Sequence, residues 1–132
     1  MISKAKEMII DGNYSCIVVK DDRIIHSING RGIKPLLSLY MNNKDDLKGC
    51  FLIDKVIGKA AAMLAIDAKV KYIYGYVMSK NAIIELKKND IEFEYEILID
   101  NIKLCPIEKI ALKHSSTGEM VKEITDFLNN IL

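Results

Sequence analysis

Between Asp54 and Asp67 the chain reads Asp-Lys-Val-Ile-Gly-Lys-Ala-Ala-Ala-Met-Leu-Ala-Ile-Asp, and this run constrains the fold more than any other. Its apolar residues do not keep to one stripe of a helix but cover nearly every side. A helix apolar all round is buried all round. Its longest unbroken apolar stretch, Ala60 to Ile66, falls far short of the roughly 20 residues that span a bilayer. The helix therefore has to be buried inside protein, with other elements packed around it. Asp54 is expected to cap it, because an aspartate at that position accepts from free backbone N–H groups and suits the positive helix end. Gly58 and the alanines permit close approach to a sheet.

The surrounding elements follow from periodicity and punctuation. Ser3 to Asp11 reads as a helix stopped by Gly12-Asn13. Tyr14–Lys20 and Arg23–Ile28 are rich in β-branched residues and flank Asp21-Asp22, which reads as a hairpin of open turn type. Ile33 to Met41 is expected to be helical, with Pro35 in its first turn. Asn42 to Lys48 reads as a polar turn, and Gly49 to Ile53 as a short strand or extended segment. Lys69 to Met78 is a strand with Tyr72, Tyr74 and Tyr76 on one face. A helix from Ser79 to Asn89 follows, with Ser79 as its cap. The strand over residues 93–99 alternates Phe93, Tyr95 and Ile97 with Glu94 and Glu96, which suits a wet edge. Asn101 to Leu104 connects to a helix or turn beginning at Pro106, and Thr117 to Leu132 closes the chain as an amphipathic helix. Helices alternating with strands predict a three-layer α/β/α domain on a mixed sheet of about five strands. Residues 1–132 fit one domain.

Composition narrows the function classes. Nineteen basic and 18 acidic residues leave a net charge of +1, so no strong nucleic-acid or polybasic membrane signal is present. Charges interrupt the apolar residues of the first ten, so no secretory leader is read there and the expected location is cytoplasmic. Cys16, Cys50 and Cys105 are widely spaced, and His26 and His114 stand alone. This argues against a disulfide framework and against a structural zinc site.

Four segments carry a family resemblance: Arg31-Gly-Ile-Lys-Pro-Leu-Leu, Asp54-Lys-Val-Ile-Gly-Lys-Ala-Ala-Ala, Tyr74-Gly-Tyr-Val-Met-Ser and Leu104-Cys-Pro-Ile-Glu-Lys109. Together they resemble a prokaryotic family of unknown function whose members have the cytidine-deaminase-like fold. The resemblance covers nearly the whole chain. It implies a zinc enzyme only if the deaminase motifs are kept, and they are not. Working deaminases use H/C-x-E at the start of the central helix and P-C-x-x-C at the start of the next. Here no His, Cys or Glu lies between Asp54 and Asp67, and the next helix begins Ser79-Lys80-Asn81-Ala82. Zinc deamination is therefore expected to be absent, with no metal and no cofactor, and whether the protein is an enzyme stays open.

Several residues suit a small-molecule site, each with a plainer alternative. Lys55 and Lys59, one turn apart beside Gly58, would hold an anion at the positive end of the central helix. The alternative is a helix cap with two solvated lysines. Arg31, between Gly30 and Gly32, would present a planar fork to a phosphate or carboxylate; the alternative is a simple turn. Cys105 and Glu108 sit at a helix start, where a thiolate is favoured and a half-buried carboxyl can act as acid or base. The alternative is Pro at the first helical position beside an exposed Glu-Lys pair. The tyrosine stripe suits base stacking or plain packing. The residue set thus comprises Asp54, Cys105 and Glu108 for catalysis, and Arg31, Lys55, Gly58, Lys59, Ser79 and Asn81 for binding a small anionic or nucleotide-like ligand. A second function class is a non-catalytic homodimeric interaction module pairing through Phe93–Ile97.

Overall fold

A computed structural model describes residues 1–102 and 105–130. Lys103, Leu104, Ile131 and Leu132, assigned above to the connector and the last helix, lie outside the described residues. The elements in chain order are α1 (Ile2–Ile10), β1 (Cys16–Lys20), β2 (Arg23–Ile28), α2 (Lys34–Asn42), α3 (Lys44–Leu47), β3 (Phe51–Ile57), α4 (Lys59–Asp67), β4 (Tyr72–Ser79), α5 (Lys80–Lys88), β5 (Glu92–Ile99), α6 (Pro106–Leu112) and α7 (Thr117–Asn130). The strands form a five-stranded sheet in the order β2-β1-β3-β4-β5. β1 is antiparallel to both β2 and β3, whereas β3, β4 and β5 run parallel. The expected three-layer α/β fold on a mixed sheet is present.

The alternation of side chains sorts the core into two layers. On one face Ile17, Val19, Ile53, Tyr72 and Tyr74 pack against Ala5 and Ile9 of α1. Tyr72 and Tyr74 are thus core residues, as their β-propensity suits. On the other face Val18, Leu52 and Ile73 meet the remaining helical layer. There α4 is central: it packs on α2, α5, α6 and α7, and Ala60 through Ala65 are all buried along it. The apolar girth of this helix is explained by that enclosure.

One boundary is corrected. The helix begins at Lys59, not at Asp54, because residues 51–57 continue as a strand between β1 and β4. Asp54 lies opposite Cys16 on β1 and Gly75 on β4. The Lys55 backbone N–H donates to the Ser15 carbonyl at 3.0 Å, a sheet contact and not a helical one. Gly58, in extended conformation, ends the strand and starts the helix. Asp54 is therefore no helix cap, and Lys55 and Lys59 do not share a helix face. A second difference is the short helix α3 inside the stretch read as a polar turn.

The hairpin turn is now defined. Asp21 and Asp22 both have positive φ, 52° and 59°. This is the left-handed pair that a two-residue hairpin requires and that Asn-Gly satisfies at lower cost. Replacing Asp22→Gly is expected to raise stability by about 0.5 kcal/mol, strain relief being partly offset by the freer unfolded chain. Thermal melts of the two proteins check this, and a lower melting temperature for the glycine variant contradicts it.

Candidate functional site

The parallel strands β3 and β4 end beside the first turns of α4 and α5, the position where α/β folds place ligands. Two adjoining cavities open there. The first, of about 240 Å³, has a mostly apolar wall that includes Ile33, Leu36, Val56 and Ile107. Asp54, Gly58, Cys105 and Glu108 also line it. The second, of about 200 Å³, is lined by Lys59, Ser79, Asn81, Asn101 and Lys109. Ile102 and Glu108 belong to both walls.

Asp54 is the unusual group of the apolar cavity. It is 6% exposed, and its carboxylate accepts from the Val56 backbone N–H at 3.3 Å. Burial pushes its pKa up to about 7, while hydrogen bonds from the Val56 and Lys55 amides and the Cys16 thiol oppose the shift. The charged form is disfavoured because the low-dielectric wall cannot replace its lost hydration. The Cys16 thiol is held well above the usual thiol range, first by burial and then by the Asp54 charge. It is therefore a hydrogen-bond donor to Asp54 and not a nucleophile.

Glu108 reaches from α6 to the first turn of α4. Its Oε2 accepts from the Ala60 backbone N–H at 3.1 Å. Gly58, the residue at the cap position of α4, has no side chain to do this. Moreover, a Cβ on Gly58 would lie 1.4 Å from Glu108 Oε1 and 2.6 Å from Ile102 Cδ1. The glycine is thus required for the close approach of a carboxylate from another helix. Burial raises the Glu108 pKa above its ordinary value, opposed by the Ala60 and Lys59 amides and the Lys59 ammonium. The positive end of α4 is satisfied by the protein's own carboxylate.

The structure divides the residues singled out in the sequence. Asp54, Gly58, Cys105 and Glu108 meet at the apolar cavity; Lys59, Ser79, Asn81 and again Glu108 meet at the polar one. Ser79 also caps α5, its Oγ accepting from the Ala82 N–H at 3.1 Å. Lys55 is exposed on β3, outside both walls. Arg31 is exposed too, although its neighbour Gly32 lines the apolar cavity. Further contributors lie outside that set. Lys109 was legible as a cation beside Glu108, whereas Cys16, Asn101 and Ile102 are brought in only by tertiary pairing. Neither the first turn of α4 (Lys59, Ala60, Ala61) nor that of α5 (Lys80, Asn81, Ala82) offers the thiolate or imidazole donors of a zinc centre.

A sheet of this order, with the central helix entering beside a cavity, defines a deaminase-like α/β domain. A diaminohydroxyphosphoribosylaminopyrimidine deaminase/5-amino-6-(5-phosphoribosylamino)uracil reductase of Thermotoga maritima shares the fold. Its TM-score is 0.51 at 19% identity, over 85% of this chain and 37% of that one. The chain belongs to the family described as TM1506, a domain of unknown function (DUF1893), whose model matches residues 4–128. The crystal structure of a DUF1893 family protein (TM1506) from Thermotoga maritima is similar at 25% identity. It matches with a TM-score of 0.83, over 95% of this chain and 88% of that one. Among curated proteins no sequence match is found. Among the described residues, no helix is long and apolar enough to cross a membrane.

Proposed function

We propose that this protein binds a small nucleotide-like molecule across the two adjoining cavities. A flat, largely uncharged ring would occupy the apolar cavity and an anionic group the polar one. The observation that carries this reading is the shared wall of Ile102 and Glu108, which makes one divided site of two chemically different halves. Lys59 and Lys109 supply the cations of the polar half. Asp54, titrating near neutrality, supplies the apolar half with a group that donates a proton in one form and accepts in the other. A ring N–H or amino group is the complement of such a carboxyl. Asp54 and Glu108 are accordingly the acid–base pair of choice should a reaction take place, with Cys105 beside them. Free Cys16, Cys50 and Cys105 fit a reducing, cytoplasmic setting.

The test uses nucleoside 5′-monophosphates, the parent nucleosides and inorganic phosphate as calorimetric probes. Monophosphates are expected to bind more tightly than either fragment. The double variant Lys59→Ala/Lys109→Ala is expected to lose about tenfold or more of the monophosphate affinity, through lost charge-assisted hydrogen bonds. Unchanged affinity in that variant, or equal binding of nucleoside and monophosphate, rejects the divided-site reading.

A further inference from the structure

The sheet ends at β5, which is hydrogen-bonded to β4 and stands at the edge of the strand order. It is eight residues long and open: Tyr95, Ile97 and Leu98 are 40–45% exposed. An edge of this kind presents unpaired backbone donors and acceptors and serves as a template for another strand. The question is which strand its side chains accept.

The register answers it. Tyr72 lies opposite Glu92 and Tyr74 opposite Glu94, so Glu92, Glu94 and Glu96 share the face that carries α1. Phe93, Tyr95 and Ile97 point to the other face. A second copy pairing antiparallel about a two-fold axis normal to the sheet keeps each face continuous. Its even-numbered residues then fall opposite even-numbered residues, and glutamates from each copy meet in one strip. Like charges directly opposite destabilise a strand pair. The edge is set against its own copy and towards cations. Lys6 already shows the attraction within the molecule, its Nζ lying 3.4 Å from Glu94 and 4.6 Å from the centre of the Tyr74 ring.

We propose that the open edge of β5 is a docking site for an extended segment of a partner protein. In this segment lysine or arginine alternates with apolar residues, and it is added to the sheet as a further strand. Backbone hydrogen bonds to β5 supply affinity, the basic residues face the glutamate strip, and the apolar ones cover Tyr95 and Ile97. The site lies apart from the cavities and does not depend on what they bind.

The probe is a fluorescein-labelled peptide of about nine residues alternating lysine with valine, set against one alternating glutamate with valine. The basic peptide is expected to bind at least about tenfold more tightly, and to weaken as salt rises from about 50 to about 300 mM. It is also expected to slow amide exchange within residues 92–99. The charge-reversed variant Glu92→Lys/Glu94→Lys/Glu96→Lys is expected to exchange the preference. Because Tyr74 donates to Glu96 at 3.0 Å, the isosteric variant Glu92→Gln/Glu94→Gln/Glu96→Gln provides a control that keeps the acceptors. It is expected to lose the preference with its melting temperature intact. Equal binding of both peptides overturns the proposal, as does protection of another segment. A concentration-dependent dimer that protects residues 92–99 without peptide also overturns it, by showing that the occupant is a second copy.

Discussion

Replacing Asp54→Asn is expected to make the protein more stable at about pH 8, by up to on the order of 4 kcal/mol, and to leave it little changed at about pH 4. The carboxyl titrates at about 7 in the folded chain against 3.8 as its ordinary value. The native state therefore holds this proton more tightly than the unfolded state does. That contribution is fully present below the unfolded value and is lost as pH rises through about 7. Asparagine has nothing to titrate, yet keeps an acceptor for the Val56 amide. Wild-type stability should fall between about pH 4 and 7 relative to the variant. Urea unfolding of both proteins across that range measures the difference directly. A gap between the two that does not change with pH would falsify the account. Glu108 is also raised, but it is common to both proteins and cancels in the comparison. A residue that costs stability at neutral pH and yet lines a cavity fits a ligand-facing role, since function is where such a cost is tolerated.

The second large effect concerns the central helix. Leu64 is fully buried in α4. Leu64→Ala is expected to cost about 3 kcal/mol, from lost transfer energy plus the cavity left behind. Collapse into the gap is limited, because α4 has neighbours on several sides. The melting temperature should drop by roughly 10 °C. Leu112, 55% exposed on α6, provides the contrast: its alanine variant should change stability by no more than about 0.5 kcal/mol. If both substitutions cost the same, α4 is not the centre of the core.

The element order and the buried central helix were legible in the sequence because they rest on local signals. Apolar girth, alternation in residues 93–97 and the Ser79 cap each act within a few residues. The start of α4 was not legible, for a physical reason. Asp54 is a good capping residue, and Val56-Ile57 suits a helix as well as a strand over so short a run. What decides is the pairing of residues 51–57 with β1 on one side and β4 on the other, which no local pattern reveals. The site suffered from the same boundary. Moving the helix start to Lys59 separates it from Lys55, buries Asp54, and turns one imagined anion site into two cavities. Glu108 was singled out as a candidate side chain, but its reach to Ala60 depends on how α6 docks.

That reach has a consequence for the order in which the molecule is built. The first turn of α4 is completed by a carboxylate 48 positions later in the chain. The pairing of β1 to β4 uses no residue of α6. Until α6 arrives, the amide of Ala60 faces water or the empty hollow beside Gly58. The two halves of the site acquire their common wall only when the last quarter of the chain folds back across the sheet. A site divided as proposed would therefore be complete only once α6 has docked on the sheet.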